Sequence, residues 1–171
     1  MTVEPGELQA EPECGGLRRD RFQASWRSSW SLMVLPEMSE RQLRGSCLCG
    51  FTTYEVRDAF EYSLICHCSQ CRRATGAGSK PFAGIAADLL RLHEPDRAMR
   101  HGDGIAFDAH CPRCGSLLYS RVRGGAYVHV TLGTLIDEPS IRPSAHIFTA
   151  SKASWDAICD GLPQFEALPP E

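Results

Sequence analysis

At 171 residues and 43% hydrophobic content, the chain has the size and apolar fraction of one ordinary domain. A formal charge of -3 and an isoelectric point near 6.1 leave no basic footprint for a nucleic-acid backbone or an anionic membrane, and no apolar run approaches the length of a membrane span. The basic pairs Arg18-Arg19 and Arg72-Arg73 read as solvated surface.

Residues 1–40 mix Pro, Gly, Ser, acids and Arg, and Trp26 and Trp30 fall in no helical or strand period, so a poorly ordered extension is expected there. Met33 and Met38 stand just before the first cysteine motif as alternative starts. The domain proper is expected over 41–171. From Gly45 onward, short segments rich in Val, Ile, Phe, Tyr and Thr are separated by Gly, Pro and Asp, the pattern of an antiparallel β domain. Strands are predicted over Phe51 to Val56, Tyr62 to Ile65, Lys80 to Ala86, Ile105 to Ala109, Leu117 to Val122 and Tyr127 to Leu132. Short helices are predicted over Ser69 to Ala74 and Lys152 to Cys159, with Ser151 capping the second through its hydroxyl.

Nine cysteines imply either a secreted disulfide framework or metal binding. The apolar run from Trp30 to Leu35 is too short and too far along the chain for a secretory signal, and Glu4, Glu7, Glu11 and Glu13 disfavour a mitochondrial presequence. Reduced thiols in a cytoplasmic protein are therefore expected.

Seven of the cysteines are clustered: Cys47-x-Cys49, sixteen residues, Cys66-x-Cys68-x-x-Cys71, thirty-nine residues, Cys111-x-x-Cys114. In a C-x-x-C knuckle the turn aims both sulfurs inward, and Pro112 and Gly115 supply the turn geometry that Cys111-Pro112-Arg113-Cys114-Gly115 requires. Cysteines two apart on a regular strand lie about 6–7 Å apart, too wide for one tetrahedral ion, so Cys47 and Cys49 need a local turn. Gly45 and Gly50 are the residues expected to make it. Pairing Cys47 and Cys49 with Cys111 and Cys114 gives a closed structural zinc site. Cys66, Cys68 and Cys71 are then three ligands of a second zinc with an open position, where a substrate thiol would be deprotonated.

The competing readings are buried thiols or disulfides for the first set and a vacant or redox-active thiol loop for the second. His67 is a candidate fourth ligand, although a residue between two ligands usually points away. His110 and His146 read as surface or satisfied core histidines, and Cys14 and Cys159 lack partners at metal spacing. Arg72 and Arg73 suit either a substrate carboxylate or a solvated helix face.

Gly45-Ser46-Cys47-Leu48-Cys49-Gly50, the run from Cys66-His67-Cys68 to Ala74-Thr75-Gly76, and Cys111 to Leu118 together resemble the glutathione-dependent formaldehyde-activating enzyme family, which shares its domain with centromere protein V. Gly133-Thr134-Leu135, His146-Ile147-Phe148, Ser151-Lys152-Ala153, Trp155 and Asp160-Gly161-Leu162-Pro163 extend the resemblance over about residues 41 to 167. The resemblance implies a β-tent of small antiparallel sheets, structural zinc on Cys47, Cys49, Cys111 and Cys114, and a second zinc, open to partial occupancy, on Cys66, Cys68 and Cys71. The implied activity is a carbon-sulfur lyase reaction: reversible addition of glutathione or a similar thiol to formaldehyde or another small aldehyde through a zinc-bound thiolate. A non-catalytic interaction module or a thiol redox sensor on the same scaffold is the alternative. His110 departs from the family, whose members often carry an aromatic residue before the final C-x-x-C.

Overall fold

The computed structural model describes residues 41–170, and burial alternates from face to face along Thr53–Arg57 and Phe107–His110. The expected extension over residues 1–40, with its alternative starts, its tryptophans and Cys14, lies outside the described residues. In chain order the elements are β1 Gln42–Ser46, β2 Thr53–Arg57, β3 Tyr62–Cys66, α1 Ser69–Thr75, β4 Lys80–Ala86, β5 Leu90–Leu92, β6 Met99–Gly102, β7 Phe107–His110, β8 Leu117–Val122, β9 Tyr127–Thr131 and β10 His146–Ile147. Five single-turn 3-10 segments join them.

Two sheets result, a three-stranded one ordered β1-β2-β5 and a seven-stranded one ordered β10-β3-β4-β9-β8-β7-β6. Every pair is antiparallel except β10 with β3, which run parallel through His146 opposite Ile65 and Ile147 opposite Cys66. The fold is thus mostly β with one main helix, as the sequence implies. The larger sheet, however, is neither small nor wholly antiparallel.

The two sheets bury their apolar faces against each other. Leu43, Tyr54 and Val56 of the small sheet meet Ile85, Val128, Val130, Tyr119, Ala109 and Phe107 of the large one in a single core, and each fully buried aliphatic there contributes about 1.5–3 kcal/mol. Cys47 and Cys111 belong to this core. A satellite cluster of Cys66, Phe82 and Ile147, with Leu64, Cys68, Cys71, Phe148 and Phe165 packed on it, holds the other cysteine set.

The six predicted strands are present, β4 and β8 with the expected bounds and the other four with shifted ends, and four short ones were not expected. β1 carries a single large apolar residue, Leu43, and β6 is exposed along its whole length, so neither shows the alternation that marks a strand. β7 begins at Phe107 rather than Ile105, which is 65% exposed in the preceding turn.

The predicted helix over Lys152–Cys159 does not form. Thr149–Ser151 makes one 3-10 turn, and the Lys152 ammonium then donates to the carbonyls of Ala153 and Asp156, occupying acceptors that a continuing helix would need. Ser151 does not cap a helix; its hydroxyl donates to the Phe148 carbonyl at 3.0 Å.

Gly45 is also not the hinge it was expected to be. It is paired within β1, directly opposite Tyr54, and the Tyr54 ring occupies the space where a side chain would begin. Tyr54 is fully buried and its hydroxyl meets Thr134 Oγ1 at 2.8 Å, so it cannot swing aside freely. Gly45→Ala is expected to cost about 1–3 kcal/mol in urea unfolding of zinc-replete protein; an unchanged midpoint would contradict this packing.

Candidate functional site

Cys47 follows the end of β1, where a tight turn reverses the chain: the Gly50 N–H donates to the Cys47 carbonyl at 3.1 Å, and the Cys47 N–H to the Thr52 carbonyl at 3.0 Å. Gly50 sits at φ +74° within it. The turn brings Cys49 Sγ to 3.6 Å from Cys47 Sγ, closing the gap that a straight strand would leave. Cys111 and Cys114 occupy the β7–β8 connection, where Gly115 at φ +76° donates its N–H to the Cys111 carbonyl at 2.9 Å. His110 Nδ1 braces the same knuckle from 3.0 Å at the Gly115 carbonyl.

Cys49 Sγ lies 3.8 Å from Cys111 Sγ, and all four sulfurs lie within 4.8 Å of one another. A tetrahedron with metal–sulfur bonds of about 2.3 Å has sulfur–sulfur edges of about 3.8 Å. The set therefore fits zinc with little rearrangement. Donors already reach two of the sulfurs: the Thr52 N–H lies 3.2 Å from Cys47 Sγ, and the Ser116 hydroxyl, 3.3 Å from Cys114 Sγ, leads the groups that bring Cys114 down to about 5.

The second set has a different local origin. Cys66 ends β3, Cys68 is the N-cap of α1, and Cys71 lies in the first turn, its N–H donating to Cys68 Sγ at 3.3 Å. The three sulfurs lie within 4.8 Å of one another, so this group too can hold a metal ion, with three protein donors among the described residues. The hydrogen bond between Cys66 and Cys71, together with burial, pushes the Cys66 thiol far up. That same bond, opposed by burial and aided by the Lys80 ammonium, brings Cys71 down to about 6.

His67 turns away from both neighbouring sulfurs. It is 2% exposed, and its Nε2 sits 2.8 Å from Nδ1 of His146, whose own Nε2 lies 2.9 Å from Asp160 Oδ2. His67 Nδ1 is buried without a hydrogen-bond partner, 3.4 Å from Asp156 Oδ2. The result is an Asp160–His146–His67–Asp156 ladder that ties the ligand loop to the segment after β10. His146 is thus a satisfied core histidine.

Arg72 Nη2 donates to the Ser151 carbonyl at 3.3 Å, which makes it a strut, whereas Arg73 is exposed. Arg73 and Gln70 on α1 line a cleft of about 810 Å³ with His101, Asp108 and Ser120 of the large sheet.

Strand register shows what else shares the face bearing Cys66. Lys80 is opposite Cys66, Phe82 opposite Leu64, His129 opposite Gly84, Ser120 opposite His129 and Asp108 opposite Ser120. Tyr62 Oη meets His129 Nε2 at 2.8 Å, and the His129 ring stacks on Phe82 at 4.2 Å. None of these residues stands out in sequence, because each looks like an ordinary strand residue until the pairing is known.

Burial, then Lys80 and Arg123, hold His129 down to about 4 against 6.5 unfolded. The unfolded chain therefore binds the extra proton first, and stability is lost as pH falls from about 6.5 to about 4 and is level above. Relative to His129→Gln, the wild-type protein is expected to lose about 3 kcal/mol over that window. Parallel denaturant titrations check it; equal pH profiles would refute it.

The family model described as glutathione-dependent formaldehyde-activating enzyme matches residues 42–151, well over half of the chain. A crystal structure of a Rhodobacter sphaeroides protein matches at 24% identity with a TM-score of 0.47, covering 57% of this chain and 91% of that one. No curated protein matches. No helix among the described residues is long and apolar enough to cross a membrane.

Proposed function

The chain belongs to the glutathione-dependent formaldehyde-activating enzyme family, and from that membership we propose that it is a zinc-dependent carbon-sulfur lyase acting reversibly between glutathione, or a similar small thiol, and formaldehyde or another small aldehyde. The observation that carries the reading is the inequality of the two cysteine sets: four sulfurs near tetrahedral spacing, two of them in the main core, and three sulfurs on a loop and helix whose Gln70 and Arg73 line a cleft. In this reading the paired sheets are the family's β-tent, Cys47, Cys49, Cys111 and Cys114 hold a structural zinc, and Cys66, Cys68 and Cys71 hold the working one. The seven clustered cysteines are free thiols, as a reducing compartment would keep them, whereas Cys159 is disulfide-bonded, against the expectation of reduced thiols throughout.

When bound at Cys66, Cys68 and Cys71, zinc supplies a Lewis acid that ionises a small thiol at neutral pH. The chain's own residues do the rest. β3 and the first turn of α1 fix the three sulfurs around one position, and the Asp160–His146–His67–Asp156 ladder anchors the loop carrying them. Gln70, Arg73, Ser120 and Asp108 offer polar groups to the body of the thiol in the adjoining cleft. The sulfur attacks the aldehyde carbon, one carbon–sulfur bond forms as the carbonyl π bond opens, and the oxygen takes up from solvent a proton equivalent to the one the thiol released, giving the hemithioacetal, which for formaldehyde is the S-hydroxymethyl thiol.

The test is exchange NMR of formaldehyde with glutathione. Metal-replete protein is expected to accelerate exchange over buffer, and equality with buffer would sink the proposal. The lowered Cys71 thiol favours a second reading, a metal-free thiol redox switch. Zinc content of protein purified without chelator separates the two: two equivalents support the lyase and one supports the switch.

A further inference from the structure

Lys80 opens β4 directly opposite Cys66 on β3, so both side chains leave the same face of the sheet with their Cα atoms about 4.5–5.5 Å apart. It is 4% exposed. Its ammonium donates to Ser120 Oγ at 2.9 Å, lies 5.7 Å from the centre of the Phe82 ring and makes no ion pair among the described residues. Burying a full positive charge is costly unless an anion faces it, and a neutral hydroxyl with an aromatic ring 5.7 Å away does not repay that cost.

The cysteine cluster supplies the missing anion by simple charge arithmetic. Three thiolates around a divalent cation carry a net charge of about -1. In the four-cysteine set Cys49 is exposed, so water screens the excess charge, and Arg113 and Arg97 lie over the adjoining Phe51 ring at 3.5 and 4.8 Å. In the three-cysteine set Cys66 is 4% exposed, Cys68 and Cys71 are half-buried and none is fully exposed, so water screens less of the excess charge and a counter-charge inside the protein stabilises it.

We propose that Lys80 is the counter-charge of the Cys66, Cys68 and Cys71 set, balancing the net negative charge of three thiolates around a divalent cation and so raising the affinity of that site for the cation. The inference rests on reading this set as a zinc site, and it makes Lys80 a positioning and affinity residue that touches no substrate.

The test uses the full chain loaded with zinc and titrated with a chromophoric chelator, with no thiol or aldehyde substrate present. Lys80→Met, and equally Lys80→Gln, is expected to release the second equivalent of zinc at least about tenfold more readily while the first is unchanged; Lys80→Arg, which keeps the charge, stays within about threefold of wild type. With only the first equivalent bound, Lys80→Met is expected to be as stable to urea as wild type or more so, because a buried ammonium has been removed. A merely structural role would weaken both equivalents and lower stability together, and that result would overturn the proposal. So would a second equivalent held as tightly in Lys80→Met as in wild type, or a wild-type protein that takes only one. Because the readout is metal affinity, absence of aldehyde chemistry leaves this proposal standing; a second equivalent held as tightly in Lys80→Met as in wild type overturns it alone, whereas a wild-type protein that takes one equivalent overturns it together with the lyase reading.

Discussion

Cys111→Ser is expected to abolish cooperative folding even with zinc in excess. Cys111 is fully buried in the main core, and its sulfur lies 3.8 Å from that of Cys49, so the set joins the end of β1 to the β7–β8 connection across a long stretch of chain. Structural zinc sites contribute an apparent stabilisation of about 10–16 kcal/mol in small domains, whereas whole domains are stable by only about 5–15 kcal/mol. Replacing one thiolate by a neutral, harder hydroxyl therefore removes more than the fold has in reserve. Thermal unfolding followed by near-ultraviolet circular dichroism, with elemental analysis alongside, is the measurement. A cooperative transition within a few degrees of wild type would show that this set is not a structural metal site. Cys71→Ser is the control: it sits in the satellite cluster and is expected to leave the transition in place while one equivalent of metal is lost.

Cys68→Ser is expected to reduce aldehyde–thiol exchange to the buffer rate while the protein stays folded. Cys68 is both a member of the three-sulfur set and the N-cap of α1. Serine preserves the cap, because its hydroxyl accepts the Cys71 N–H as the sulfur does, so the helix survives and only the soft, anionic donor is lost. A free thiol with pKa about 8.5 is about 3% ionised at pH 7, so full ionisation at the site is worth at most about thirtyfold, less what a lower pKa costs in nucleophilicity. The buffer reaction speeds up with pH as the free thiol ionises, so the wild-type advantage is expected to shrink between pH 7 and 8.5. Residual acceleration by Cys68→Ser equal to wild type would remove the three-cysteine set from the chemistry.

Much of the candidate site was legible in sequence because tight cysteine spacing encodes local geometry. The knuckle from Cys111 to Gly115 depends only on residues inside it, and Gly50 supplies the positive φ that the Cys47–Cys49 turn needs. His67 turning away from its neighbouring sulfurs follows from the same local logic. The helix expected over Lys152–Cys159 fails for two reasons that propensity does not register: Asp156 faces the distant His67, and Lys152 binds carbonyls of its own segment.

What the sequence by itself determined is the β-rich class of the domain and the grouping of its cysteines into local clusters of two, three and two, because both are written in short spacings. What only the tertiary structure decided is who faces whom. Lys80 beside Cys66, His146 against His67, and Tyr62 on His129 arise from the register of strands far apart in the chain, and a slip of one residue would turn every one of those side chains to the opposite face.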